Sequence, residues 1–208
     1  YFKEVFLPQL RRFVDIECRL IKRGYYPKGQ GKVEITIKPR FNIYDYNNFD
    51  EFINNLTEKV EKINLIEQGH LIQIKGISHA SSDLQNANVA ERQAKSAEIK
   101  LKNYSVPINI QIQYNNALST GSGITLWAVF SKNKDEIDIQ NPVILGADCL
   151  GEKGKKAEDV GTEAAERLMS EINSKAPVDS HLADQILKYI ALLQESKIKT
   201  SKITRHTK

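Results

Sequence analysis

Apolar residues recur at three- and four-residue spacing at the start of the chain, where Phe2, Val5, Phe6, Leu10 and Phe13 share a face, and this predicts an amphipathic helix from Tyr1 to Phe13. Pro8 lies inside it and predicts a kink or a late start, because its ring removes a backbone donor and crowds the preceding turn. The pattern then becomes alternating. Ile16, Cys18 and Leu20 interleave with Glu17 and Arg19, and Val33, Ile35 and Ile37 interleave with Glu34 and Thr36, so two strands are expected. Between them Gly24-Tyr25-Tyr26-Pro27-Lys28-Gly29-Gln30-Gly31 predicts a hairpin with an aromatic, glycine-rich tip. After Pro39 a polar, Asn-rich stretch leads to the helical stripe Phe49, Phe52, Ile53, Leu56, Val60 and Ile63, which reads as a loop plus helix over 41–62.

From His70 onward the pattern predicts a strand through Leu71 to Ile77, a helix from about Asn88 to Leu101, and strands near Ile108–Tyr114, Ile124–Phe130 and Val143–Cys149. A further helix, from about Lys156 to Ile172, is lined by Ala157, Val160, Gly161, Ala164, Ala165, Leu168 and Met169, small residues that permit close packing on a sheet. The order β-α-β-β-β-α is that of a compact α+β unit. Asp179 or Ser180 can cap the next helix, whose broad apolar face runs from Leu182 to Leu193 and which is expected to end near Gln194. The tail from Lys197 to Thr207 is polar apart from Ile198 and Ile203, and reads as an edge strand or a segment facing something charged. Three parts follow: a partial domain over 1–67, an inserted unit over 68–175, and a return to the first domain over 176–208.

Composition narrows the class. The 208 residues are 40% hydrophobic and 27% charged, ordinary for a soluble protein. No apolar run approaches the roughly 20 residues that span a bilayer. Cys18 and Cys149 lie far apart and no zinc-type Cys/His spacing occurs, so a reducing, cytoplasmic setting is expected. The net charge of +4 is compatible with a polyanionic ligand without requiring one. The chain opens on Tyr1 and stops just after His206-Thr207, and reads as a piece of something longer.

Four histidines are available. His70 and His79 read as ordinary structural or surface imidazoles. His206 stands in Thr200-Ser201-Lys202-Ile203-Thr204-Arg205-His206-Thr207-Lys208, dense in hydroxyls and cations, which suits a phosphate but also a solvated tail. His181-Leu182-Ala183-Asp184-Gln185 opens a helix, where unpaired amides and the dipole can hold a phosphate or the polar edge of a nucleotide. An ordinary acidic first turn explains the same residues equally well. Asp184 is placed to orient a histidine or a hydrated Mg²⁺. The glycine segments at Gly24–Gly31, Gly121-Ser122-Gly123 and Gly151–Gly154 match neither the phosphate-loop nor the dinucleotide pattern and read as turns. The run Gly151-Glu152-Lys153-Gly154-Lys155-Lys156 reads as a solvated loop before an RNA contact.

Arg23-Gly24-Tyr25-Tyr26-Pro27-Lys28-Gly29-Gln30-Gly31 resembles a hairpin of the RNA 3'-terminal phosphate cyclase family, Arg-Gly-aromatic-Tyr-Pro-x-Gly-Gly-Gly, with Gln30 in place of the middle glycine. Leu145-Gly146-Ala147-Asp148-Cys149-Leu150-Gly151-Glu152-Lys153-Gly154-Lys155, with Ala157-Glu158-Asp159-Val160-Gly161, is similar to a second block of that family. Val178 to Gln185, and then Thr204-Arg205-His206-Thr207, complete the resemblance in the family's order.

The resemblance implies a large domain of repeated βαβ-type units, partial here, with a smaller thioredoxin-like insert, and makes 41–62 an extra segment. It also implies that His206 attacks the α-phosphorus of ATP, that AMP passes to an RNA 3'-phosphate end, and that the neighbouring 2'-hydroxyl closes a 2',3'-cyclic phosphate. By the same resemblance His181, Leu182, Ala183, Asp184 and Gln185 border the ATP site, Tyr1 lies near adenine, and a divalent metal, Mg²⁺ or Mn²⁺, offsets the triphosphate charge. The family's N-terminal units and the strand after the histidine are absent from these residues, so the 208-residue chain alone is expected to show weak or no cyclase activity. Two other readings compete. A ribosome-biogenesis relative without adenylation chemistry would lack the nucleophilic histidine, and His206 is present. A generic α+β RNA-binding module would bind RNA with steep salt dependence and take no label from ATP.

Overall fold

The computed structural model describes residues 1–133 and 137–207. The first helical segment forms in two pieces: a π-type turn over Phe2–Phe6 runs into α1 (Leu7–Leu10), with Pro8 in its first turn, where a missing amide is harmless. Val5, Phe6, Leu7 and Leu10 are buried. The alternating segments become β1 (Val14–Lys22) and β2 (Lys32–Pro39), an antiparallel hairpin with Ile16 opposite Ile37, Cys18 opposite Ile35 and Leu20 opposite Val33. Those pairs give the hairpin one apolar face, and Glu17, Arg19, Glu34 and Thr36 give it a polar one. β2 nevertheless stays exposed along its whole length, Ile37 at 60%. Gln30, where the resembling family motif has glycine, adopts φ +58°, in the left-handed region. After a short 3-10 turn over Ile43–Asp45 comes α2 (Phe49–Lys59), capped by the Asn48 side chain, and then β3 (Asn64–Leu65).

Next come β4 (His70–Ser81), α3 (Val89–Leu101), β5 (Ile108–Asn115), β6 (Ser122–Ser131), β7 (Ile144–Leu150) and α4 (Ala157–Asn173), the β-α-β-β-β-α order that the periodicity predicts. The sheet order is β5-β4-β6-β7. β4 and β5 are parallel, joined through α3, and the other pairs are antiparallel. Residues of one parity, such as Ile74, Ile124, Leu126 and Leu145, are fully buried on the face that α3 and α4 cover. The two helices approach so closely at Gly161 that a Cβ there would stand 2.0 Å from the Gln93 carbonyl oxygen, which is why this helix carries small residues. Gln93 is itself buried, donating to Ser122 Oγ at 2.8 Å and accepting from Ser78 Oγ at 3.0 Å.

The chain closes with α5 (Ser180–Ile190) and β8 (Lys197–Ile198), which pairs in parallel with β3. Two expectations are corrected here. The last helix ends at Ile190 rather than near Gln194, because the amides of Leu192 and Leu193 turn back to the carbonyls of Tyr189 and Ile190 as Leu193 tucks into the core. The tail forms a strand over only two residues instead of running to Thr207. Beyond Ser201 the Thr204 and Thr207 hydroxyls accept the backbone amides that a sheet partner would otherwise take, and Ile203 is left exposed. One continuous core joins the segments before and after the insert. Among the described residues no helix is long and apolar enough to cross a membrane.

Candidate active site

The start of α5 is built around Asp179, which is fully buried. One carboxylate oxygen accepts from the amides of His181 at 3.0 Å and Leu182 at 2.9 Å and from the Tyr1 hydroxyl at 2.6 Å. The other accepts from the Gly146 amide of β7 at 2.9 Å. A helix cap, the first turn of the chain and the insert sheet therefore meet on one side chain. Burial pushes the Asp179 carboxyl above its ordinary value, against the pull of those donors. Burial, and then the neighbouring Asp179 carboxylate, push the Tyr1 phenol upward as well.

This arrangement corrects the expectation of free amides at the helix start. The His181 and Leu182 amides are taken by the Asp179 side chain, and the Ala183 amide by the Asp179 carbonyl at 3.0 Å. The Leu182 and Ala183 side chains are fully buried in the core. What the start of α5 presents outward is His181, which is exposed, and Asp184 and Gln185, which are partly so. Gln185 Oε1 has no hydrogen-bond partner among the described residues. His181 stands edge-on to the Tyr1 ring, 6.1 Å between centroids, at the rim of a cleft of about 370 Å³ shared with Asp148, Arg167, Ser170 and Glu171.

The tail returns to this helix. Thr204 Oγ1 donates to Asp184 Oδ1 at 2.6 Å and accepts the His206 amide at 3.0 Å. Asp184 thus reaches His206 through the backbone of the tail, and the His206 imidazole is open to solvent. A solvent-open imidazole is available as a nucleophile. Among the described residues there is no cluster of three His, Cys, Asp or Glu that could hold a metal ion.

A second constellation gathers where the hairpin tip meets the insert. Tyr25 Oη and His79 Nδ1 lie 2.9 Å apart, the hydroxyl donating when the ring proton is on Nε2. Gly121 is where the Tyr25 ring lands, since a Cβ there would stand 2.4 Å from it. Arg23 donates to Gln113 Oε1 at 3.0 Å, and the Lys28 amide to Ser119 Oγ at 3.1 Å. Burial, reinforced by Arg23, pushes the His79 pKa down to about 3, so the ring is neutral at physiological pH. The plain structural reading of His79 agrees with this burial, but its partner could not be read from spacing. The available signal was the alternation of Asn109, Gln111, Gln113 and Asn115 along β5, which places four amides on one sheet face.

Comparison with known proteins agrees with this architecture. The family model for the insert domain of RNA 3'-terminal phosphate cyclase matches residues 66–173. The RNA 3'-terminal phosphate cyclase of Staphylothermus marinus is 39% identical over 215 residues, covering 100% of this chain and 53% of that relative. That of Pyrococcus furiosus is 39% identical over 207 residues, covering 99% and 52%, and that of Pyrobaculum aerophilum 35% over 211, covering 100% and 53%. The chain spans about half the length of the curated relatives it matches. With its insert matched by the family model and its whole length similar to named members, the chain belongs to the RNA 3'-terminal phosphate cyclase family.

Proposed function

We propose that these residues serve an ATP-dependent RNA 3'-terminal phosphate cyclase working in the cytoplasm, with His206 carrying AMP. On this reading 1–67 and 176–208 belong to a large domain of repeated βαβ units and 68–175 to a thioredoxin-like insert. The observation that carries the reading is the Thr204 bridge from Asp184 to the His206 amide, which ties the nucleophile to the turn that borders the nucleotide. An imidazole nitrogen of His206 attacks the α-phosphorus of ATP, the bond to the bridging oxygen breaks, and pyrophosphate leaves. The AMP passes to the RNA 3'-phosphate, and the 2'-hydroxyl then displaces it to close the cyclic diester.

Since the Leu182 and Ala183 side chains lie in the core and their amides are occupied, His181, Asp184 and Gln185 are the groups of α5 left to touch ATP, with Tyr1 behind His181. A divalent cation, Mg²⁺ or Mn²⁺, would neutralise triphosphate charge there, with Asp184 as the carboxylate that α5 offers.

The test is labelling with α-³²P-ATP and Mg²⁺, of this chain and of a chimera in which the Staphylothermus marinus relative supplies the other half. An acid-labile, alkali-stable label on the chimera that disappears in His206→Ala is expected, with little or none on the chain alone. Label that survives His206→Ala would overturn the assignment. No label on either, together with salt-sensitive RNA binding, would favour a cyclase-like binding protein without adenylation chemistry.

A further inference from the structure

A cleft of about 460 Å³ separates the apolar face of the β1–β2 hairpin from the sheet face that α3 and α4 leave uncovered. Leu20 and Val33 form one wall, and Ile77 and Trp127 the other. Lys3, Glu4, Lys22 and Arg23 stand at its rim, and Gln113 and Asn115 of β5 line its polar end. Glu4 is engaged by Lys3 at 3.9 Å, and among the described residues neither Lys22 nor Arg23 has a carboxylate partner.

Arg23 is the informative residue. Its guanidinium is half-buried, and its partner is the neutral amide of Gln113. Its Nε is buried with no acceptor, and so is Asn115 Nδ2, two residues beyond Gln113 on the same strand face. A desolvated cation without counter-charge is unfavourable, and bulk water does not reach these two donors to compensate them. An oxyanion seated in the cleft would supply the missing counter-charge to the partly exposed Arg23 guanidinium, and a guanidinium suits a phosphate best.

Two features point to an RNA strand rather than a free anion. Asn109 and Gln111 continue the amide row from the cleft along the exposed part of β5, and carboxamides are the side chains that read base edges. The cleft also adjoins the candidate active site, because Tyr1 lines it and packs against His181.

We infer that this cleft holds the RNA chain upstream of its reacting 3' end, with Arg23 on a phosphodiester and the β5 amides on base or ribose edges. The inference rests on the reading that the protein acts on RNA, and its test separates the two. The probe is a fluorescein-labelled 12-nucleotide oligouridylate with a 3'-phosphate, titrated by anisotropy at several salt concentrations with the full chain. Arg23→Gln is expected to weaken binding five- to tenfold and to flatten the slope of log K against log salt by about 0.7, one phosphate contact on a single strand. Arg23→Lys should keep the slope. Gln111→Leu, an exposed position away from the folded core, should weaken binding severalfold with the slope unchanged. Arg19→Gln, on the hairpin's other face, should change neither.

Arg23→Gln and Gln111→Leu binding like wild type, no binding by wild type, or full displacement of the oligonucleotide by millimolar inorganic phosphate would each overturn the inference. ATP labelling of the chimera with Arg23 intact reports on His206 separately. No label together with Arg23-dependent RNA binding defeats the cyclase reading alone, and label together with Arg23-independent binding defeats the cleft alone.

Discussion

The hairpin junction and the α5 site flank the same N-terminal turn, yet they are assembled in opposite ways. At the junction Tyr25, Arg23, His79 and Gln113 come from elements far apart in the chain, and His79 is 8% exposed. At the α5 site Asp179 is buried, but the group proposed to react sits on an exposed tail held by the Thr204 hydroxyl. The junction is already arranged by packing, whereas His206 is positioned by a few exposed hydrogen bonds.

The largest effect is expected at Asp179. Asp179→Ala would strand the Tyr1 hydroxyl and the amides of Gly146, His181 and Leu182, and should lower stability by about 3 kcal/mol or more in urea unfolding. Asp179→Asn, which keeps one acceptor, should lose less. If Ala is tolerated within about 0.5 kcal/mol, the α5 site is not rooted through this carboxylate.

His79 provides the intermediate test, through pH. Its folded pKa is pushed down to about 3 from an ordinary 6.5, so below pH 6.5 the unfolded chain takes up a proton that the folded chain refuses. The contribution of the neutral ring is therefore complete above pH 6.5 and lost as pH falls toward 3. Urea midpoints at pH 7 and pH 5 should differ more for wild type than for His79→Gln, and equal differences would argue that the junction opens readily. At fixed neutral pH, Tyr25→Phe should remove about 1 kcal/mol, one hydrogen bond.

The smallest effect on stability belongs to Thr204→Val, under about 1 kcal/mol because the tail is largely exposed. Its effect on chemistry should be larger: AMP labelling of the chimera should slow severalfold while RNA affinity stays unchanged. Labelling at the wild-type rate would detach Asp184 from any positioning of His206.

Local pattern made much of this molecule legible. Alternation and helical spacing predicted both hairpin strands and all six elements of the insert, because burial on one side imposes a period wherever an element contributes its own apolar stripe. The Asp179 cap was readable for the same local reason. The tail, read as an edge strand or a segment facing something charged, is strand only at Lys197–Ile198, because the hydroxyls of its β-branched threonines serve the backbone farther on. The helix start was nevertheless read as having unpaired amides, although Asp179 or Ser180 was the expected cap, and nothing in the spacing revealed that Asp179 would also bind Tyr1 and Gly146.

By itself, then, the chain's order of residues determined which segments become helix or strand and which histidines are candidates, since both depend on neighbours a few residues away. Tertiary structure alone decided that Tyr25 meets His79, that Arg23 is desolvated without a counter-charge, and that Thr204 links Asp184 to His206. Those are contacts between residues distant in sequence, where burial and uncompensated charge arise only once the elements have packed.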